Sequence, residues 1–200
     1  MCEIYILRHG RTALDNLKRS DGWLDLPLSD KGRLGLIQAQ QYLKMEKVAT
    51  IHAAPLRRTE ETAHIIASGV IHGPNVKTAP AAMTWDLGVL AGTPKEESKP
   101  KVKRLLAHPT EKPMGGETHN AFRKRYMDWF DGLVAEAEES GEPVVVIVSG
   151  TNARLLGAEL LGNSDAIDLD EGGLAVLHHE DGKWHEQILF GDENKSPYIS

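Results

Sequence analysis

Cysteine is nearly missing from this chain: Cys2 is the single thiol among 200 residues. No internal disulfide and no cysteine-based metal site can be built from it, a pattern that suits a reducing compartment. Long apolar runs are missing too. The longest, Val144 to Val148, falls far short of the roughly 20 residues that a membrane-spanning helix needs. The opening residues Met1-Cys2-Glu3-Ile4-Tyr5-Ile6-Leu7-Arg8 lack a basic stretch followed by an apolar one, and residue 2 is not glycine. Neither a signal peptide nor a myristoyl anchor is therefore expected, and the cytoplasm is the expected location, with no membrane partner. Nor is there an excess of positive charge. Lysine and arginine total 23 against 29 acidic residues, a net charge of −6, which argues against nucleic acid as a partner because phosphate neutralisation needs a basic surface. Any phosphate this chain handles should sit in a small local pocket.

What remains is a soluble globular composition, 40% hydrophobic and 26% charged, without repeats or a low-complexity linker, so one domain over residues 1–200 is expected. Glu3 to Leu7 reads as a buried strand stopped by Arg8-His9-Gly10. Ser29 caps a helix predicted to run to about Met45, with Leu36, Ala39 and Leu43 on one face. Val48 to Ala54 reads as a second strand closed by Pro55, a helix follows from about Arg57, and Val76 to Thr78 is a short third strand. Phe122, Tyr126, Phe130, Leu133, Val134 and Ala137 hold one face of a long helix from about Thr118 to Glu139, and that aromatic stripe reads as core. Val144 to Val148 is the most strand-like segment. A helix from about Asn152 to Leu161 follows, and Leu174 to His178 and Trp184 to Leu189 flank Asp181-Gly182 as a hairpin. Strands alternating with helices predict a three-layer α/β sandwich, a mostly parallel sheet with helices on both faces. On such sheets ligands bind at the carboxyl ends of the strands. Those ends are Arg8-His9-Gly10, Pro55 to Arg58, and Ser149-Gly150.

Together they offer guanidiniums, an imidazole and the N–H groups of a helix start, which makes an anion site. Guanidinium forks match phosphate oxygens, and a helix N-terminus adds donors from Ser149, Gly150 and Thr151. A neutral histidine beside bound phosphate can attack phosphorus in line. With arginines to hold the charge, no metal and no cofactor is expected. His178 and His179 fall on opposite faces of a strand, and the other histidines lack ligand spacing.

Leu7-Arg8-His9-Gly10-Arg11-Thr12 resembles the signature of the histidine phosphatase superfamily, the phosphoglycerate mutase-like phosphatases. The likeness continues through Gly22 to Gly32, Pro55 to Ala63, Gly115-Gly116-Glu117-Thr118 with Arg125, Val148 to Arg154, and Gly172-Gly173. The resemblance implies that His9 is the nucleophile, that Arg8 holds the phosphoryl group, that Arg58 is the second clamp, and that Arg19 is a further basic position near the site. It also implies a cap over the site at about residues 93 to 114, where Lys95 to Arg104 carries five basic and two acidic residues, net +3.

The chain departs from that pattern at three positions. Thr84 stands where the family's usual glutamate acid would be, Ser149 where the second pocket histidine would be, and Asp15 where many relatives carry asparagine. If residues 84 to 86 are extended, Asp86 shares a side with Thr84, so it is a candidate surrogate acid; the alternative is a carboxylate that caps its own turn. Trp85 and Trp23 could border the pocket. The expected activity is hydrolysis of a small phosphorylated substrate through a phosphohistidine on His9. The alternative is a catalytically degenerate member that binds a phosphorylated ligand or partner without turnover, with mutase activity as a third option. The oligomeric state is left open by the sequence, a homodimer being one option.

Overall fold

The computed structural model describes residues 2–191. In chain order the elements are β1 (Cys2–Arg8), α1 (Ala13–Asn16), α2 (Asp30–Leu34), α3 (Ile37–Leu43), β2 (Thr50–Ala53), α4 (Arg57–Gly69), β3 (Asn75–Thr78), α5 (Lys95–Ala107), α6 (His119–Ser140), β4 (Val144–Val148), α7 (Gly150–Leu161), β5 (Leu174–Glu180) and β6 (Lys183–Phe190). Two short 3₁₀ turns, Pro80–Ala82 and Gly88–Leu90, lie between β3 and α5. The six strands form one sheet in the order β3-β2-β4-β1-β5-β6. Pairs β1/β4, β2/β4 and β2/β3 are parallel, and β5 runs antiparallel to both neighbours.

The sheet's two faces follow from strand alternation. Ile4, Ile6, Val144, Val146 and Val148 point to one side, where they meet Phe122, Tyr126 and Phe130 of α6 and Leu155 and Leu156 of α7. Tyr5, Leu7, Val145 and Ile147 point to the other, against Leu36 at the N-cap of α3, Leu43 at its end, and Ala63 and Ile66 of α4. Each such aliphatic side chain taken fully from water contributes about 1.5–3 kcal/mol. Three layers result, helix on sheet on helix. Among the described residues no helix is long and apolar enough to cross a membrane.

The helix predicted from Ser29 to Met45 is two helices. Ser29 caps α2 as expected, its Oγ accepting from Gly32 N at 3.1 Å. The chain then leaves α geometry at Gly35-Leu36, where Leu36 N donates to Arg33 O, a tighter three-residue bond. Gly35 has poor helix propensity, and the loop at Gly172 packs on its carbonyl: a Cβ at Gly172 would lie 2.8 Å from Gly35 O. The second strand begins at Thr50 rather than Val48, and α1 went unforeseen. The region expected as a cap carries α5, which holds Pro100 inside it. Asp181 and Gly182 both take positive φ, 51° and 72°, as a two-residue hairpin turn requires.

Register positions the site. Arg8 pairs with Val148, and His9 N donates to Val148 O at 3.0 Å, so His9 and Ser149 leave adjacent strands side by side. Arg8 N donates to Gly173 O, and Gly172 N donates to Arg8 O, which brings the loop before β5 to the same edge. The loop after β1 then crosses the start of α2 at backbone contact: a Cβ on Gly32 would lie 2.1 Å from Arg11 O. Neither backbone can yield cheaply. Gly32→Ala is expected to cost about 1–3 kcal/mol, the scale of overpacking a close contact, and to lower turnover by shifting the residues after His9; urea unfolding and an aryl phosphate assay would check both.

Candidate active site

His9 is 2% exposed at the end of β1. Its Nδ1 lies 2.9 Å from Gly10 O; a carbonyl only accepts, so Nδ1 carries the hydrogen and Nε2 keeps a lone pair. Burial lowers the His9 pKa, and the Arg58 and Arg8 cations lower it further, against the Gly10 bond and the Asp15 carboxylate; the outcome is about 3. The imidazole is thus neutral at physiological pH, the form a nucleophile needs.

Two arginines flank it, each held from behind. Arg58, 1% exposed at the start of α4, donates through Nη1 to Leu24 O at 2.7 Å and through Nη2 to Gly22 O at 2.8 Å. Arg8 donates through Nη1 to Leu169 O and through Nη2 to Glu171 Oε1. Glu171 also meets Arg11 Nε at 3.3 Å, so one carboxylate orients two guanidiniums. The Nε atoms of Arg8 and Arg58 are buried with no hydrogen-bond partner among the described residues. Buried charged donors left unpaired are costly, and an anion relieves them. Gly150 lies against this guanidinium: a Cβ on it would stand 3.4 Å from Arg8 Cζ, at van der Waals contact.

Ser149 caps α7, its Oγ accepting from Asn152 N at 3.3 Å. The same hydroxyl donates to Asn152 Oδ1 and lies 2.7 Å from Thr84 Oγ1. A hydroxyl has one hydrogen, so in this arrangement Ser149 gives its own to Asn152 and receives one from Thr84. The donors facing outward from this corner are the backbone N–H groups of Gly150 and Thr151, which have no partner within the helix.

Asp86 takes the turn-capping role. Its Oδ1 accepts from Gly88 N at 3.0 Å, capping the turn in which Gly88 takes φ +49°, while its own N donates to Glu117 Oε1. Glu117 is paired with Arg125 at 2.7 Å, and Arg125 also donates to the carbonyls of Ala81 and Met83. The turn-capping alternative thus describes Asp86 Oδ1. Arg19 is drawn aside as well, donating to Gly92 O at 2.6 Å and bridging to Pro94. Trp85 is core, 1% exposed, whereas Trp23 is 41% exposed and donates to Thr84 O.

The sequence reading passed over a second cluster. Thr12 N and Thr12 Oγ1 both donate to Asp15 Oδ2 at 3.0 Å, and Lys95 Nζ of α5 lies 3.6 Å from Asp15 Oδ1. Burial pushes the Asp15 carboxyl up, but the Thr12 N–H, His9, Lys95 and the Thr12 hydroxyl together hold it below its ordinary value. Asp21 Oδ1 lies 3.4 Å from the same Thr12 Oγ1. Burial and then Asp15 push Asp21 up to about 6, against Arg58, Lys95 and the Thr12 hydroxyl. The spacing Thr12-x-x-Asp15 is legible as a capping box, but nothing in sequence brings Asp21 to it, or Glu171 to Arg8.

The sequence profile of the histidine phosphatase superfamily (branch 1) matches residues 4–190. A 2,3-bisphosphoglycerate-dependent phosphoglycerate mutase of Methanosarcina mazei is 27% identical, over 90% of this chain and 91% of its own length. A metal-independent phosphoserine phosphatase of Arabidopsis thaliana is 26% identical, over 91% of this chain and 78% of its own. Among solved structures, a mycobacterial glucosyl-3-phosphoglycerate phosphatase in complex with VO3 shares the fold with a TM-score of 0.79 at 24% identity, covering 96% of this chain and 100% of that one. With Arg8 and His9 at the end of the central strand and the profile spanning almost every described residue, the chain belongs to the histidine phosphatase superfamily.

Proposed function

We propose that the chain hydrolyses a small phosphomonoester through a phosphohistidine on His9. The observation that carries this reading is the buried, neutral imidazole with Nδ1 engaged and Nε2 free, set between two arginines whose Nε donors lack protein partners. Nε2 attacks phosphorus in line, a P–N bond forms, and the P–O bond to the leaving group breaks; water then attacks phosphorus, the P–N bond breaks, and inorganic phosphate departs. Arg8 and Arg58 hold the equatorial oxygens, joined by the N–H groups of Gly150 and Thr151. The phosphatases among its relatives support the hydrolytic outcome, and the mycobacterial neighbour is a phosphatase in complex with an oxyanion, VO3. The net charge of −6 fits a small substrate rather than nucleic acid, and the lone thiol Cys2 fits the cytoplasm.

Ser149 sets the level of activity. Ser149→His places an imidazole N–H beside the phosphoryl oxygens, and one such donor changes rate by about 10²–10³-fold. Turnover of 4-nitrophenyl phosphate is expected to rise toward the lower end of that range. The lost helix cap costs about 1 kcal/mol of stability, visible in urea unfolding. Phosphate release by neither chain would overturn the hydrolase reading in favour of a binder of phosphorylated ligands.

A further inference from the structure

The leaving oxygen needs a proton, and most carboxyl groups near His9 are already committed. Asp86 caps its own turn, Glu117 is paired with Arg125, and Glu171 is paired with Arg8 and Arg11. Asp15 accepts two hydrogen bonds from Thr12 and faces Lys95, so it is the ionised member of its cluster.

Asp21 differs. Thr12 Oγ1 accepts from Asp15 N at 3.3 Å and has Asp15 Oδ2 at 3.0 Å and Asp21 Oδ1 at 3.4 Å. Its one hydrogen goes to the nearer, ionised carboxylate. At 3.4 Å the contact with Asp21 is longer than a normal O–H···O bond, so Asp21 faces the ionised Asp15 across Thr12 with no committed donor, and a second negative charge there is disfavoured. Asp21 is half-buried, and its Oδ2 has no hydrogen-bond partner among the described residues. Its neighbour Gly22 accepts at O from Arg58 Nη2 at 2.8 Å, so Asp21 rides on the loop to which the phosphate-clamping guanidinium is fastened. That guanidinium is 1% exposed and keeps a buried, unpartnered Nε, which independently marks this corner as the anion's seat.

We propose that Asp21 is the catalytic acid and base of the reaction, an inference that rests on the hydrolase reading above. As the P–O bond breaks, its electron pair goes to the leaving oxygen, which takes the proton from Asp21. The resulting carboxylate takes a proton from the water that attacks the phosphohistidine; the P–N bond breaks, its pair returns to His9 Nε2, and Asp21 is again an acid. The groups facing Asp21 are Thr12 and Asp15 beside α1, Arg58 of α4 and Lys95 of α5. With the carboxyl raised to about 6, the acid form is lost as pH rises through that value, so kcat/KM falls on the alkaline side.

The test is a series of aryl phosphates of graded leaving-group pKa, from 4-nitrophenyl to phenyl phosphate, turned over by the wild-type chain, Asp21→Asn, Asp21→Glu and His9→Ala. A poor leaving group needs the acid most, so Asp21→Asn is expected to lose about 10²–10⁴-fold on phenyl phosphate and at least about tenfold less on 4-nitrophenyl phosphate. Asp21→Glu keeps the shallow leaving-group dependence, and the alkaline limb disappears in Asp21→Asn. Asp21→Asn removes a negative charge that faces Asp15, so it unfolds at wild-type urea concentration or above it at pH 8, where the wild-type carboxyl is ionised. A leaving-group dependence in Asp21→Asn no steeper than in the wild-type chain, with His9→Ala inactive, overturns the role of Asp21 and leaves the hydrolase reading standing. Activity retained in His9→Ala overturns both.

Discussion

Replacing His9 with alanine is expected to lower turnover of 4-nitrophenyl phosphate by about 10⁴-fold or more, the scale on which loss of a covalent nucleophile is felt. Among the described residues the neighbouring hydroxyls are not placed to substitute. Ser149 and Thr84 are hydrogen-bonded to each other, and Asn152 takes the Ser149 hydrogen. The same variant should change how stability depends on pH. The folded pKa of His9 is depressed to about 3 by burial and by Arg58, whereas in the unfolded chain an imidazole takes a proton near 6.5. The unfolded state therefore binds more protons in that window. The stability linked to His9 is fully present above about 6.5 and is lost as pH falls toward the folded value. His9→Ala removes that component, so its urea midpoint should decline less steeply than wild type between pH 6.5 and pH 4. An unchanged slope would contradict a buried, neutral imidazole.

Arg58→Ala is expected to be costly twice over. The guanidinium is 1% exposed and bridges the carbonyls of Gly22 and Leu24. Truncation leaves two acceptors without donors, each costing about 1–3 kcal/mol, and frees the loop that carries Asp21. A loss of about 2–5 kcal/mol in urea unfolding is expected from these combined terms. Activity should fall by about 10²–10³-fold, as when one preorganised donor to a developing anion is removed. Arg58→Lys separates the two effects. It keeps the positive charge, but a single ammonium cannot span both carbonyls while facing the phosphoryl group. It should recover part of the stability and little of the rate; full recovery of rate would mean that charge alone, without the fork geometry, is what the site needs.

The layers of this fold were legible because their signals are local. The short β-branched and aromatic segment Glu3–Leu7, an apolar run at Val144–Val148, the α6 stripe through Phe122, Tyr126 and Phe130, and Asp181-Gly182 at the hairpin each express a composition, periodicity or turn rule within a few residues. The break at Gly35 was not legible, because it depends on packing against Gly172, far along the chain. The site divides the same way. His9, Arg8 and Arg58 stand at strand and helix ends that the α/β rule picks out. The expectation for Asp86 rested on an extended geometry between Thr84 and Asp86, and the turn at Gly88 takes that carboxylate instead. Glu171, which orients Arg8 across 163 positions, and Asp21, which meets Thr12 nine residues away, act through contacts set by tertiary register. No spacing rule reaches them.

The most direct measurement is rapid-quench trapping of the phosphorylated intermediate. The wild-type chain is mixed with excess 4-nitrophenyl phosphate, quenched in alkali, digested and sequenced by mass spectrometry. A phosphoryl group that survives alkali, is lost in acid and maps to His9, with none in His9→Ala, is the expected result. Phosphate release at the full rate with no label on His9, or with label on another residue, would contradict it.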